Sequence, residues 1–266
     1  MPPLAAKPIA ITGASSGIGA ATALRCAREG MPVALAARRV DRLEAVARRI
    51  TEAGGRAIIV ECDVARPADC ERLVARTVDA FGSLYAVFAN AGYGVEGPVA
   101  DSTEHDVRQI FETNFFGTLH TIRPALDVMR KAGEGHILVC SSCLSKIGIP
   151  FFASYCATKA AQDHYARALR HELEPHGIAV SSVHPIGTKT EFFDATSARS
   201  KEPRLALRTP ERMMQPAELV AEAIVRCLRK PKGEVWTSRS TRLALGLATM
   251  FPSLADVVLR RLVAAR

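Results

Sequence analysis

The 266-residue chain is poor in aromatic side chains, at 6% with a single tryptophan, and has no run of Lys and Arg interleaved with aromatics. Its net charge of +8, from 35 basic and 27 acidic residues, therefore fits an arginine-rich solvated surface better than a nucleic-acid interface. No apolar stretch reaches 18 residues, which argues against a membrane-spanning helix. Only MPPLAAKP precedes the first apolar run, too little for a secretory leader, and the seven cysteines are scattered. Cys140 and Cys143 stand at a CxxC spacing with serines between them, but no second pair and no histidine cluster follows. His136, His164, His171, His176 and His184 show no metal spacing either. These absences exclude a zinc site and a disulfide framework, and they suit a reducing cytoplasm. No repeat, low-complexity tract or linker divides the chain, so a single domain is expected.

What is present is an alternation of short apolar runs with helical patterns. Strands are expected at 8–12, 31–37, 57–64, 84–90, 136–142, 178–185 and 233–238. Helices are expected to follow at 21–30, 41–55, 67–82, 101–131 (continuous or interrupted), 152–177 and 216–230. The strands are nearly continuous in apolar character, the mark of a parallel sheet buried on both faces. Right-handed crossovers then give an α/β fold with a doubly wound sheet of about seven strands. In such sheets ligands bind beyond the carboxyl ends of the strands, which points to the loops after residues 12, 37, 63, 90, 142 and 185.

The first of these loops is TGASSGIG, with Gly13, Gly17 and Gly19 between a strand and a helix. A tight turn, a close backbone approach to phosphate and close helix–strand packing each ask for a residue without Cβ. The helix behind it offers free N–H groups and a positive dipole end to an anion. The spacing is GxxxGxG, and its place between strand and helix indicates a bound dinucleotide. At the end of the second strand, where an acid would hold the ribose hydroxyls of NAD, the chain has Arg38 and Arg39. Guanidinium groups suit a 2′-phosphate, so NADP(H) is expected over NAD(H).

TGASSGIG at 12–19, NAG at 90–92, Asn114, Ser142 and YCATK at 155–159 together resemble the short-chain dehydrogenase/reductase family over roughly residues 7 to 240. The resemblance implies a Rossmann-type oxidoreductase, a homodimer or homotetramer, acting on a small carbonyl or alcohol substrate. It further implies that Gly13, Gly17 and Gly19 hold the pyrophosphate, with Ser15, Ser16 and Ile18 beside them. Asp63 and Val64 would border the adenine, and Asn90, Ala91 and Gly92 would flank the cofactor. Asn114 would hold a water in a proton relay from Lys159, and Pro185, Thr188 and Thr190 would approach the nicotinamide. In HPIGTKT, Ile186 stands where the family has glycine, and Gly187 follows one place later.

The residues carry the chemistry of carbonyl reduction on their own terms. Tyr155 and Lys159 are four apart on an expected helix and share a face. An ammonium beside a phenol favours the phenolate, as would a positively charged oxidised nicotinamide nearby, and together they would bring the phenol down from its usual value near 10. Ser142 would donate a hydrogen bond to the substrate oxygen from the end of the fifth strand, and its place thirteen residues before Tyr155 resembles the family's spacing for its catalytic serine. It lacks the GxSxG context of a hydrolase nucleophile. Cys143 and Cys156 flank this centre as small hydrophobes. By family analogy Phe151, Phe152, Phe192 and Phe193 lie nearby and indicate an apolar or bulky carbonyl. Residues 191–215 form the substrate-loop region. The apolar, arginine-bearing tail at 241–266 is helical, with Leu254, Val258 and Leu262 on one face. It covers a pocket, contacts a second subunit or lies on a membrane surface. The activities left open are carbonyl reduction or the reverse alcohol oxidation, reduction of 3-oxoacyl groups on a carrier protein, and non-catalytic NADP-dependent regulation.

Overall fold

Ile, Val, Ala and Phe fill the strands because both faces of the sheet are covered. The computed structural model describes residues 4–200 and 214–264. The strands are β1 (Ile9–Thr12), β2 (Val33–Ala37), β3 (Ala57–Glu61), β4 (Ala86–Ala89), β5 (Gly135–Cys140), β6 (Ile178–His184), β7 (Thr188–Lys189), β8 (Gln215–Pro216) and β9 (Glu234–Trp236). Seven of them form one parallel sheet in the order β3-β2-β1-β4-β5-β6-β9, while β7 and β8 pair only with each other. The helices are α1 (Gly17–Arg28), α2 (Val40–Glu52), α3 (Pro67–Phe81), α4 (Glu104–Phe111), α5 (Gly117–Ala132), α6 (Ala153–Leu173), α7 (Phe192–Arg199), α8 (Ala217–Arg229), α9 (Arg239–Met250) and α10 (Pro252–Ala264).

The alternating side chains of the strands divide into two cores. Ile9, Ile11, Leu35, Phe88 and Leu138 pack with α1, α2 and α8. Ala10, Ala34, Val87, Ile137 and Val139 pack with α3, α5 and α6 on the other face. β1 pairs with both β2 and β4, Ile9 standing beside Val33 and Ala86. The chain therefore leaves β1 and β4 in opposite directions, and the crevice between their carboxyl ends is the topological switch point.

Local signals set the helix ends. Pro67 occupies the first turn of α3, where its missing N–H costs nothing, and Gly82 closes it at φ 80. Thr103 and Asp106 cap each other's backbone N–H at the start of α4. The helix expected at 101–131 is interrupted: a π turn, Glu112–Phe116, joins α4 to α5 and carries Asn114. The fifth strand stops at Cys140, so Ser142 lies beyond it as the cap of a short turn, Cys143–Ser145, rather than within the strand. The third strand likewise ends at Glu61, which leaves Asp63 and Val64 in the following loop.

Candidate active site

The loops that follow the strands enclose a cavity of about 560 Å³ at the switch point. Every catalytic or cofactor-binding residue expected from the sequence borders it except Gly19 and Asn114.

The glycine turn is shaped by contacts that admit no side chain. Gly13 and Gly17 have φ of +66 and +55. A Cβ on Gly13 would stand 2.9 Å from Asn90 Nδ2, and one on Gly19 would stand 2.3 Å from the Gly13 carbonyl oxygen. Gly19 is therefore a packing residue behind the turn. Asn90 ties the two switch-point loops together: its Nδ2 donates to the Thr12 and Gly13 carbonyls at 3.0 and 3.3 Å. Thr12 Oγ1 accepts in turn from the N–H groups of Asn90 and Ala91. A Cβ on Gly92 would meet Asn114 Oδ1 at 3.0 Å, which lets this loop lie against the π turn. At the start of α1, Ser16 makes no side-chain cap and the first turn holds no acid. Ser15, Ser16, Gly17 and Ile18 border the cavity. An uncapped helix N-terminus facing a cavity fits a diphosphate.

At the end of β2 the two arginines differ. Arg38 is largely exposed, with its guanidinium 4.0 Å from Asp63. Asp63 also accepts from the Ala65 N–H at 3.1 Å. Arg39 spans the turn: its Nη2 donates to Ser16 and Ser15 at 2.9 and 3.2 Å, and its Nη1 pairs with Glu191 at 2.9 Å. The hydrogen bond from Arg39 holds the Glu191 carboxyl below its ordinary value. Glu191 follows Thr190, whose methyl carbon would be 3.0 Å from a Cβ on Gly17. The sequence carried no signal for this pairing. Thr188 borders the cavity too, but its hydroxyl donates to Ile186 O at 2.7 Å and accepts from Gln215. The Pro185 carbonyl accepts from Cys143 N–H and pins this loop to the Ser142 turn.

Ser142, Tyr155 and Lys159 meet deep in the crevice, each no more than 8% exposed. Ser142 Oγ accepts from the Leu144 N–H at 3.1 Å. Lys159 Nζ lies 5.6 Å from the Tyr155 ring centre and donates to Cys140 O at 2.8 Å and Gln162 Oε1 at 2.9 Å. The expected depression of the phenol is not found in the protein alone. Burial drives Tyr155 well above its ordinary value of 10, and the hydrogen bond with Ser142 offsets only part of this. The reason is geometric, because the ammonium is directed at Cys140 and Gln162. Burial also lowers the Lys159 amine from its ordinary value. The phenol is thus neutral, the form that donates a proton.

Asn114 is fully buried, and its side chain is consumed by the Tyr93 backbone and Thr158. Its carbonyl accepts from Gln162 Nε2 at 2.7 Å. The Gln162 carboxamide links Lys159 to the Asn114 backbone carbonyl. Gln162 was missed, although the signal was there: Tyr155, Thr158, Lys159, Gln162 and Asp163 follow helical spacing and are all buried. A polar stripe on an inward face marks a site.

A second cluster supports Ser142 from behind. His184 Nδ1 lies 3.1 Å from the Ser142 carbonyl oxygen and its Nε2 lies 3.4 Å from Asp163 Oδ1. Its ring stacks on Trp236 at 4.4 Å. Asp163, His184 and Glu234 bring ligand atoms within 4.8 Å of one another, and the Lys146 ammonium bridges the two carboxylates at 2.6 and 3.0 Å. Burial alone would raise Asp163. Hydrogen bonds from His184 and Lys146 outweigh it and hold the carboxyl well below the usual carboxylate range.

The outer part of the cavity is apolar. Phe152 and Phe192 lie 6.3 and 5.4 Å from the Tyr155 ring, Phe193 packs on Phe192, and Leu144, Ile149 and Ile186 complete the wall. Phe151 does not border the cavity. Burial pushes the Cys143 thiol up to about 11 and raises Cys156, so neither is a ready nucleophile. Of the loop expected at 191–215, α7 and the start of β8 lie in the described part, and 201–213 lie outside the described residues, as do 265 and 266 of the tail.

Residues 7–201 match the family described as short chain dehydrogenase. The chain is 34% identical over 226 residues to an uncharacterized oxidoreductase of Listeria innocua, covering 82% of this chain and 90% of that one. It superposes with a TM-score of 0.86 and 25% identity on a short chain dehydrogenase/reductase from Burkholderia phymatum in complex with NAD, covering 96% and 97% of the two chains. An alcohol dehydrogenase from Thermococcus sibiricus, complexed with 5-hydroxy-NADP, gives a TM-score of 0.74 and 31% identity, with 86% and 94% covered.

Proposed function

This chain belongs to the short-chain dehydrogenase family and is an NAD(P)-dependent oxidoreductase, and we propose that it interconverts an apolar ketone or aldehyde and the corresponding alcohol with NADP(H) as preferred cofactor. The observation that carries this reading is the buried Ser142, Tyr155 and Lys159 cluster between an uncapped helix N-terminus and an apolar pocket. The bound nicotinamide supplies the hydride.

In this reading the chain's own groups do the rest. The α1 N-terminus, Gly13 and Ser15 to Ile18 hold the diphosphate, with Gly19 packed behind. Asp63 and Val64 border the adenine, Asn90, Ala91 and Gly92 form the inner wall, and Pro185, Thr188 and Thr190 form the outer one. Arg38 and Arg39 face the 2′-phosphate, and NADP(H) preference rests on them together with the lack of an acid at the end of β2. Ser142 orients the carbonyl oxygen, and the neutral Tyr155 phenol passes it a proton, taking one back in the reverse direction. Lys159, fixed by Cys140 and Gln162, stabilises the phenolate left behind. Asn114 braces the inner loop through its side chain. The reading includes a homodimer or homotetramer in the cytoplasm, where seven free thiols are compatible with a reducing compartment.

The test is a panel of carbonyls and alcohols with both cofactors. Tyr155→Phe abolishes turnover while NADPH still binds. Arg38→Ala, by removing a charge-assisted contact, weakens NADPH roughly tenfold or more and NADH little. Equal losses for both nucleotides would refute the phosphate role. The +8 charge favours a second reading, reduction of 3-oxoacyl groups on an acidic carrier protein. Comparison of carrier thioesters with free ketones separates the two. Binding of NADPH without any turnover would indicate a regulator instead.

A further inference from the structure

After β9 the chain forms α9 and α10, bent at 113° around Phe251. Neither is long and apolar enough by itself to cross a membrane. α9 has two faces. Toward the body, Thr249 donates to the Lys146 carbonyl at 3.3 Å and Arg242 pairs with Glu234 at 3.3 Å. Away from the body, Leu243, Leu247 and Met250 follow the spacing of one helical stripe and are 67, 48 and 71% exposed. Phe251 carries the patch across the bend, and Leu254, Val257 and Val258 continue it along α10. Seven of the ten large exposed apolar side chains among the described residues are concentrated here. Scattered apolar residues need no partner, whereas a contiguous set marks a surface that one covers.

The charges around the patch indicate which partner. The two helices hold Arg239, Arg242, Arg260 and Arg261 against one acid, Asp256. Arg239 starts the exposed stripe of α9, and Arg261 stands at helical spacing from Leu254, Val257 and Val258. Long arginine stems lie along an apolar surface while the guanidinium reaches the polar layer above it. A twofold contact between copies would set this patch against itself and oppose the same arginines on two chains of net charge +8. Anionic headgroups turn the same charge into attraction.

We propose that α9 and α10 lie on a lipid surface rich in anionic headgroups, with the apolar stripes in the interface and the arginines among the phosphates. The place of the patch gives the docking a use. α9 leans on the turn that carries Cys143 and Leu144, which line the apolar end of the cavity. A lipophilic carbonyl compound dissolved in the bilayer then has a short path to the pocket. That use rests on the proposed function, whereas the docking does not.

Co-sedimentation of the full chain with vesicles of phosphatidylcholine, alone or mixed with phosphatidylglycerol, tests the docking. The wild type binds the mixed vesicles, binds the neutral ones weakly, and is released by salt. Leu247→Glu, Leu254→Glu and Val258→Glu combined weaken binding at least tenfold. Arg239→Gln, Arg260→Gln and Arg261→Gln each weaken it about fivefold. Both sets keep wild-type turnover of a small water-soluble carbonyl, which also certifies their folding. The proposal is overturned if the wild type ignores mixed vesicles, or if the apolar variant binds them as well as the wild type does. It is equally overturned if the wild type is an oligomer in solution that the apolar variant dissociates, since a second copy then covers the face. Vesicle binding without turnover would sink the oxidoreductase reading alone.

Discussion

Glu191→Gln is expected to tighten NADPH without affecting NADH. The Arg39 guanidinium is shared in the structure, with Ser15 and Ser16 on one nitrogen and Glu191 at 2.9 Å on the other. A 2′-phosphate needs the same donors, so Glu191 competes with it. Both side chains are 46% exposed, and an ion pair in that setting is worth ~0.2–1 kcal/mol. Releasing Arg39 from the carboxylate therefore lowers the NADPH Kd by about 1.4- to 5-fold, less at high salt. NADH carries no phosphate at that position and keeps its Kd. Titration of the nucleotide's fluorescence with each protein measures both constants directly. A weaker NADPH complex in the variant would refute the argument, because it would mean that Glu191 presents Arg39 to the phosphate. Equal changes for both nucleotides would show that the pair only shapes the loop.

Two further substitutions probe the polar stripe of α6. Gln162→Leu keeps the volume but leaves Lys159 with only the Cys140 carbonyl, and a lost hydrogen bond to a charged group costs about 1.5–3 kcal/mol of stability. Losing that acceptor disfavours the ammonium, so the limb of the pH–rate profile that reports Lys159 moves to lower pH, while Gln162→Glu moves it up; a stability loss with an unmoved limb would reduce Gln162 to scaffolding. The Asp163 carboxyl has a folded value depressed below its ordinary 3.8, so its stabilisation is present above about pH 4 and is lost as the pH falls further. Urea unfolding at a series of acid pH values should then show the wild type losing stability faster than Asp163→Asn, and parallel slopes would contradict the assigned pairing.

Most of the framework was legible in the residues. Nearly continuous short apolar runs and helical spacing set the strand and helix order, and Gly82 and Pro67 marked ends because their backbone preferences are local. The glycine turn, the Arg38–Arg39 pair and the spacing of Tyr155 and Lys159 were likewise readable, since each depends on neighbours a few residues away, whereas Ser142 was singled out by the family resemblance. Boundaries slipped where propensity is weak, as at Ser142, which caps a turn beyond the strand.

What tertiary structure alone decided involves groups brought together from far apart. Lys146, Asp163, His184 and Glu234 come from four segments, and no spacing in the chain links them. The upward shift of Tyr155 in the protein alone was not legible in the sequence, because desolvation depends on everything packed around the phenol while the lysine four residues on is only one neighbour. The bare stripe of α9 and α10 belongs to the same class. Its apolar spacing is written in the sequence, but the side that finds no cover is set by where the rest of the fold ends, since hydration free energy is a property of the assembled surface and not of any residue by itself.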